Sequence, residues 1–362
     1  MNVFLVTPIG EKCNLACDYC YHNKLRKKVP RKIIPCMNDQ VLEKLVGDAI
    51  RVASEPKKIK FIWHGGEPLL TGIGFYHKVV NYQNQFKTNG QEIINCIQTN
   101  ATLIDQKWID FFKENNFKVG ISLDGPEHIH NIHRRYPSGR GSFFTTLKGM
   151  DLCKTNELEI GILATFTSSQ VNCLTEIYQF MVDRKITQFD MTPCVIIDKS
   201  NAKFTPDPIE AGKALIQVFS RWFEADNPDI CIRTFDTILR MIAGEESKVC
   251  TFRNKCSDYL GIDYNGDIYP CVRFLGHQET KLGNILNEDL EDVLSSKKYQ
   301  EILAIITSLN QDCLNCEWFS FCKGGCAYHR FVFGKYPFCE TRKMLFEHIV
   351  ERVREVMNDI ES

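Results

Sequence analysis

Residues 3–20 read VFLVTPIGEKCNLACDYC: an apolar, β-prone run, Val3–Thr7, gives way at Pro8 to a loop that carries Cys13, Cys17 and Cys20. Three cysteines at C-x3-C-x2-C offer soft thiolates, enough to hold three irons of a four-iron cluster and leave the fourth iron open. Tyr19, between the last two cysteines, is an aromatic placed to cover such a cluster. A zinc site completed by His22 is the alternative reading of the same residues.

Outward from this loop, strand-like and helix-like segments alternate up to about residue 225. Asp39–Val52 carries apolar positions at helical spacing, Lys60–His64 reads as a strand ending in a glycine turn, and 75–86 is helical. Further strands are expected at 93–98, 117–123, 159–166 and 188–193, and further helices at 105–115, 143–154, 171–184 and 208–224. Parallel neighbours need helical crossovers, so this alternation predicts an α/β fold with a parallel sheet. Six βα units are too few for a closed eight-fold barrel, and the expectation is an open, partial (β/α)6 barrel. Chemistry in such folds sits at the C-terminal strand ends. Several strands do end in Gly-rich or polar clusters: Gly65-Gly66, Thr99-Asn100, Asp124-Gly125.

The chain has 362 residues and 17 cysteines, with 44 Lys and Arg against 45 Asp and Glu. The balanced charge gives no electrostatic ground for nucleic acid as a partner, and no apolar run approaches the ~20 residues needed to span a bilayer. Without a secretory signal at Met1–Thr7, a cytoplasmic protein is expected, where this many cysteines point to metal rather than disulfides.

From about residue 250 cysteine and aromatics become dense, and helical periodicity is expected to return only at 341–360. The predicted boundaries are 1–232 for the barrel, 233–249 for a connecting helix, 250–340 for a metal-organised domain with little apolar core, and 341–362 for a helix packing back on the rest. The cysteines fall at Cys250-x5-Cys256, Cys271, Cys313-x2-Cys316-x5-Cys322-x3-Cys326 and Cys339. Eight thiolates make two full sets of four, and a pair of structural zinc sites is the plain alternative. Gly266, in Tyr264-Asn265-Gly266-Asp267, predicts a hairpin turn. Trp318, Phe319 and Phe321 read either as a shield for a cluster or as core. The scattered cysteines (Cys36, Cys96, Cys153, Cys173, Cys194, Cys231) read mostly as small buried hydrophobes.

The triad, the turn Trp63-His64-Gly65-Gly66-Glu67-Pro68, Gln98-Thr99-Asn100 and Ser122-Leu123-Asp124-Gly125-Pro126 together resemble the radical S-adenosylmethionine superfamily. The C-terminal spacing resembles its SPASM extension. The resemblance implies a radical SAM partial barrel followed by a small cysteine-rich SPASM domain with two auxiliary iron–sulfur clusters. It implies three [4Fe–4S] clusters in all, with S-adenosyl-L-methionine as cofactor. Cys13, Cys17 and Cys20 would hold the first cluster. Cys250, Cys256, Cys271 and Cys326 would hold one auxiliary cluster, and Cys313, Cys316, Cys322 and Cys339 the other. Gly65, Gly66 and Glu67 would line the methionine end, Ser122 and Asp124 the ribose, and Arg134 the carboxylate, with Tyr19 and Asn100 also in contact. Apart from the family, Asn100 and Asp124 read as caps of helices or turns, and Arg134 and Arg135 as solvated surface. A 5′-deoxyadenosyl radical would abstract hydrogen from a peptide or protein substrate, with an electron donor such as flavodoxin or ferredoxin.

Order and spacing look most like the anaerobic sulfatase-maturating enzymes, which form formylglycine from Cys or Ser. One departure matters. That family has Asp directly after the third auxiliary cysteine, proposed as a base, and here the position is Val272, followed by Arg273. An aliphatic side chain accepts no proton, so aldehyde formation would need another base, with Tyr259, Asp267, His64 and Glu317 as candidates. The reading therefore favours oxidative crosslinking, thioether or carbon–carbon, of a ribosomally made peptide. Cys13 lies so near the start that no leader-binding domain is expected before it. A zinc-bearing interaction protein is the non-enzymatic alternative.

Overall fold

The computed structural model describes residues 2–21, 36–53, 58–197 and 199–361. Its strands are β1 (Val3–Thr7), β2 (Lys58–Trp63), β3 (Glu92–Thr99), β4 (Lys118–Ser122), β5 (Ile160–Phe166), β6 (Gln188–Pro193), β7 (Cys231–Ile232), β8 (Tyr259–Asp263), β9 (Asp267–Tyr269) and β10 (Gly283–Asn284). The chain divides into two compact units. The first comprises Met1–Ser122, Asn131–Ile160 and Cys256–Ile305, and the second Leu123–His130, Gly161–Lys255 and Ile306–Ser362.

In the first unit the strands run in the order β10-β9-β8-β1-β2-β3-β4. β1 is parallel to β2 on one side, with Phe4 opposite Phe61, and parallel to β8 on the other, with Thr7 opposite Asp263. Phe4 and Val6 are completely buried, as expected for a parallel strand covered on both faces. Helix Asp39–Arg51 starts where Asn38 accepts from the Val41 amide at 2.9 Å, and helix Gln106–Glu114 where Asp105 accepts from Trp108 at 3.1 Å. Tyr76 sits at the centre of a ring cluster of Trp63, Phe75, Trp108, Phe111 and Phe117. The hairpin expected at Gly266 forms as β8 and β9, and Gly266 takes φ +85°.

The parallel pairing of β8 on β1 corrects the expectation that 250–340 has little apolar core. Leu260, Ile262, Ile268, Ile285 and Leu290 are all fully buried. Helicity also returns before 341, in helices Leu290–Ser295 and Lys297–Thr307 and in shorter turns beyond them. Several of these helices span a turn or two, too short to leave a periodic signature.

In the second unit β5, β6 and β7 are parallel. Helix Pro208–Glu224 has Asp207 as N-cap and Pro at its first position, the arrangement a fixed φ favours. Helix Cys339–Glu361 packs along it, so closely that a Cβ on Gly212 would stand 2.7 Å from Met344 Sδ. Among the described residues no helix is long and apolar enough to cross a membrane.

Candidate cluster and cofactor sites

The loop after β1 is pinned at both ends. Thr7 Oγ1 donates to Asp263 Oδ1 at 2.7 Å, and the amides of Gly66 and Glu67 donate to the carbonyls of Gly10 and Lys12, each at 2.8 Å. A Cβ on Gly66 would lie 1.8 Å from Lys12 O, and one on Gly65, at φ +116°, 2.7 Å from Gly10 O. The pair of glycines therefore admits the backbone of the cysteine loop itself. Further on, Ala16 N donates to Arg135 O at 2.7 Å and Asp18 N to His133 O at 3.3 Å. Cys17 is buried, Cys13 and Cys20 half-buried. His22 lies outside the described residues.

Glu67 ties this turn to the end of β3. Its carboxylate accepts from Thr99 Oγ1 at 2.6 Å, Asn100 N at 2.8 Å and Leu69 N at 3.2 Å. Burial pushes it up to about 7, although all three donors pull the other way. Asn100 is buried too, and its Nδ2 donates to Asn14 Oδ1 at 2.9 Å and approaches Cys13 Sγ at 3.7 Å. Its Oδ1 accepts from the Thr102 amide at 3.0 Å, as in the cap reading, so one side chain caps a turn and reaches the cysteine loop.

Arg134 is not surface: it is buried, with its guanidinium 5.4 Å from the Tyr19 ring centroid. Arg135 is about half exposed and pairs with Asp18 at 3.0 Å, and His133 meets the same carboxylate at 3.2 Å. Ser122 Oγ accepts from Gln98 Nε2 at 3.1 Å. Thus the first unit gathers Gly65, Gly66, Glu67 and Asn100 at the cysteine loop, and sets Arg134 beside that loop's Tyr19. Asp124 belongs to the second unit, where its carboxylate is fully buried and accepts from Thr165 N at 3.0 Å.

The second unit brings four cysteines around one cavity. Cys313, Cys316, Cys322 and Cys339 line a space of about 140 Å³, with Phe319, Gly324 and Tyr336 among the other walls. Asn310 caps helix Gln311–Leu314 by accepting from the Cys313 amide at 2.9 Å. Lys323, Gly324 and Gly325 all take positive φ, wrapping the chain on towards Cys326. Arg330 fixes that turn, donating to Gly324 O and Gly325 O at 3.0 Å each. Burial pushes the Cys313 and Cys339 thiols up, and any metal they bound would have to displace their protons. Among the described residues no three Cys, His, Asp or Glu side chains stand close enough to share a single metal ion. The four cysteines do line one common cavity. The donor set and the cavity fit a multi-iron cluster. Of the other set, Cys256 and Cys271 belong to the first unit and Cys250 and Cys326 to the second.

Trp318 and Phe321 pack on Phe346, with centroids 5.6 and 5.7 Å away, as core, while Phe319 faces the cavity. Of the scattered cysteines Cys153 and Cys194 are buried, Cys96, Cys173 and Cys231 half-buried, and Cys36 is exposed, against expectation. Val272 is 4 % exposed, its amide so near Gly261 that a Cβ there would lie at 2.5 Å. Among the candidate bases, Asp267 is engaged by Lys281 at 2.7 Å and Asn284 at 2.8 Å. Burial pushes His64 down to about 4, with the Arg273 charge adding to it. Tyr259 is half-buried and Glu317 exposed. A carboxylate missed in the sequence is Asp263, pushed up to about 6 by burial. The strand pairing that buries it joins segments distant in the chain, so nothing local announces it.

Two family profiles match the chain: the Radical SAM superfamily over residues 7–169, and SPASM, an iron-sulfur cluster-binding domain, over 250–317. A serine-type anaerobic sulfatase-maturating enzyme of Bacteroides thetaiotaomicron is 32% identical over 348 residues, covering 90% of this chain and 83% of that one. A cysteine-type enzyme of Clostridium perfringens is 29% identical over 366 residues, 98% of each. The solved structure of native anSMEcpe with bound AdoMet matches with a TM-score of 0.89 at 29% identity, over 99% of this chain and 100% of that one. The chain belongs to the radical SAM superfamily, in the group that carries a SPASM domain and includes the anaerobic sulfatase-maturating enzymes. It is an enzyme of the mixed α/β radical SAM fold, as the cysteine loop and the βα alternation led us to expect.

Proposed function

We propose that this enzyme oxidises a side chain of a peptide by abstracting hydrogen from carbon, and that the product is a crosslink, thioether or carbon–carbon, in a ribosomally made peptide. The observation that carries this reading is Val272, a buried aliphatic residue where the resemblance calls for a proton-accepting Asp. Abstraction at carbon needs no base in that step.

Cys13, Cys17 and Cys20 would hold the first four-iron cluster, and the two C-terminal sets the auxiliary ones, three clusters in all. When bound, the first cluster and S-adenosyl-L-methionine supply the radical that abstracts hydrogen. The chain's own part is positioning. Gly65, Gly66 and Glu67 set the turn beside the cysteine loop, Asn100 steadies Cys13, and Arg134 with Tyr19 offers a cation and a ring to the cofactor. Ser122 and Asp124 would serve its ribose. Reducing equivalents would come from a flavodoxin or ferredoxin.

Sulfatase maturation is the second reading, favoured by the likeness to the two maturases along nearly the whole chain. It would require a base other than residue 272, and Asp263 joins the four candidates named above. The test is to incubate reduced enzyme with a sulfatase-motif peptide and with a peptide encoded beside the gene, and to weigh the products. Loss of two hydrogens without hydrazine labelling supports crosslinking. Rapid aldehyde formation on the sulfatase peptide overturns it.

A further inference from the structure

The first turn of helix Cys339–Glu361 buries a positive charge. Arg342 is 7 % exposed and lies three residues after Cys339, on the same helix face. Its guanidinium stands 4.0 Å from the Phe252 ring centroid and 4.5 Å from that of Tyr336. Nη1 donates to Thr251 O at 2.7 Å and, at 3.4 Å each, to the carbonyl and the Sγ of Cys322; Nη2 donates to Thr251 Oγ1 at 2.9 Å. None of these partners is a carboxylate. A guanidinium does not shed its proton, and a buried ion left uncompensated costs several kcal/mol. Carbonyls and ring faces offset part of that cost. The Cys322 sulfur, charged once it binds metal, is the anion that Arg342 touches, and the Cys326 sulfur lies within its electrostatic reach.

Nearby Arg330 makes the contrast clear. It too is buried and its charge acts on Cys313, yet its guanidinium bonds run to backbone carbonyls and the Asn254 side-chain oxygen, contacts that hold a turn in place. Arg342 reaches a sulfur of the cavity. Tyr336, which walls that cavity, is held against Gly325, where a Cβ would lie 2.5 Å from its ring. The fork is thus fixed between two rings.

We propose that Arg342 is the built-in counter-charge of the cluster held by Cys313, Cys316, Cys322 and Cys339, and that it raises the reduction potential of that cluster. The proposal rests on the cluster assignment above. Reduction adds an electron to an already anionic assembly, and a fixed cation with an N–H on a ligand sulfur favours the more negative state. Arg342 is a positioning residue that acts through the cluster.

The test is an EPR-monitored redox titration of anaerobically reconstituted holoenzyme, with iron counted in each sample. Arg342→Gln removes the charge and keeps a donor, while Arg342→Lys keeps the charge. At wild-type iron content Arg342→Gln should shift one midpoint downward by more than it shifts the others, and Arg342→Lys should shift it less. Unmoved midpoints overturn the proposal, as do equal shifts in the two variants. Should Arg342→Gln lose iron, unmutated enzyme grown with guanidinium-15N arginine decides the matter. A nitrogen coupling to the reduced auxiliary cluster in pulsed EPR that disappears in labelled Arg342→Lys supports the proposal; no coupling, or one that survives in that variant, overturns it. Cys316→Ala keeps the two ideas separable. If it costs no iron, the cluster assignment fails; if it costs about four irons while the midpoints ignore Arg342, the counter-charge alone fails.

Discussion

The Thr99 hydroxyl donates a 2.6 Å hydrogen bond to the Glu67 carboxylate, joining the end of β3 to the glycine turn after β2. Burial raises that carboxylate from its ordinary 4.5 to about 7. A group with a raised acid pKa favours the fold while protonated, so its contribution is complete below about 4.5 and is lost as the pH climbs to about 7. The unfolding free energy from urea titration should fall between about pH 4.5 and pH 7, by on the order of 3 kcal/mol at most. Glu67→Gln should flatten this fall while lowering stability at acid pH by ~1 kcal/mol through a mismatched donor. A variant that keeps the full slope would remove Glu67 as its cause.

Gly66→Ala should dislodge the cysteine loop, since the new Cβ would overlap Lys12 O. The expected cost is about 1–3 kcal/mol, together with lost iron at the first site and weaker S-adenosylmethionine binding. Gly161, with nothing within 4 Å of its added Cβ, is the control. Equal behaviour of the two alanine variants, by iron count and calorimetric titration, would rule out the packing argument.

Replacing Cys13, Cys17 and Cys20 together by Ala should leave about eight of about twelve irons and abolish cleavage of S-adenosylmethionine. Stoichiometric zinc and negligible iron in anaerobically reconstituted wild-type protein would defeat the three-cluster proposal.

Metal binding should be coupled to folding around the cavity of the second unit. Cys316→Ala is expected to expose 306–340 to protease while β1–β4 and their helices resist. Mass spectrometry of a timed digest reads this, and an unchanged cleavage pattern would count against the coupling.

Val272→Asp should add aldehyde formation on a sulfatase-motif peptide if a missing base is what sets this enzyme apart. Hydrazine labelling measures it. Wild-type enzyme that already labels as fast as the variant would make residue 272 irrelevant to the outcome.

The strands were legible wherever a β-prone run ended in a glycine or polar cluster, and Gln188–Pro193 was placed to the residue. The three-cysteine loop stood out by its spacing, which left zinc open until the Gly65-Gly66 turn and the later strand ends were read beside it. What stayed hidden depends on segments far apart in the chain. Gly66 looked like a ligand-facing glycine because the sequence does not reveal that Lys12 folds over it. Arg342 drew no notice because its surroundings come from Thr251, Phe252, Cys322 and Tyr336, four residues on three separate segments. Apart from the family likeness, Asn100 read as a cap, and nothing local showed that Asn14 and Cys13 stand beside it.

The bond from Thr7 to Asp263 spans 256 residues, and it bears on how the chain is made. β1 leaves the ribosome first, but its partner β8 and the carboxylate that receives Thr7 emerge only after most of the chain has been synthesised. During that interval the edge of β1 that β8 covers has no neighbour, and Thr7 lacks the carboxylate that receives it. The part of the loop's anchoring that depends on the Thr7–Asp263 bond is thus long-range and late, while the bonds from Gly66 and Glu67 come from a segment made soon after β1.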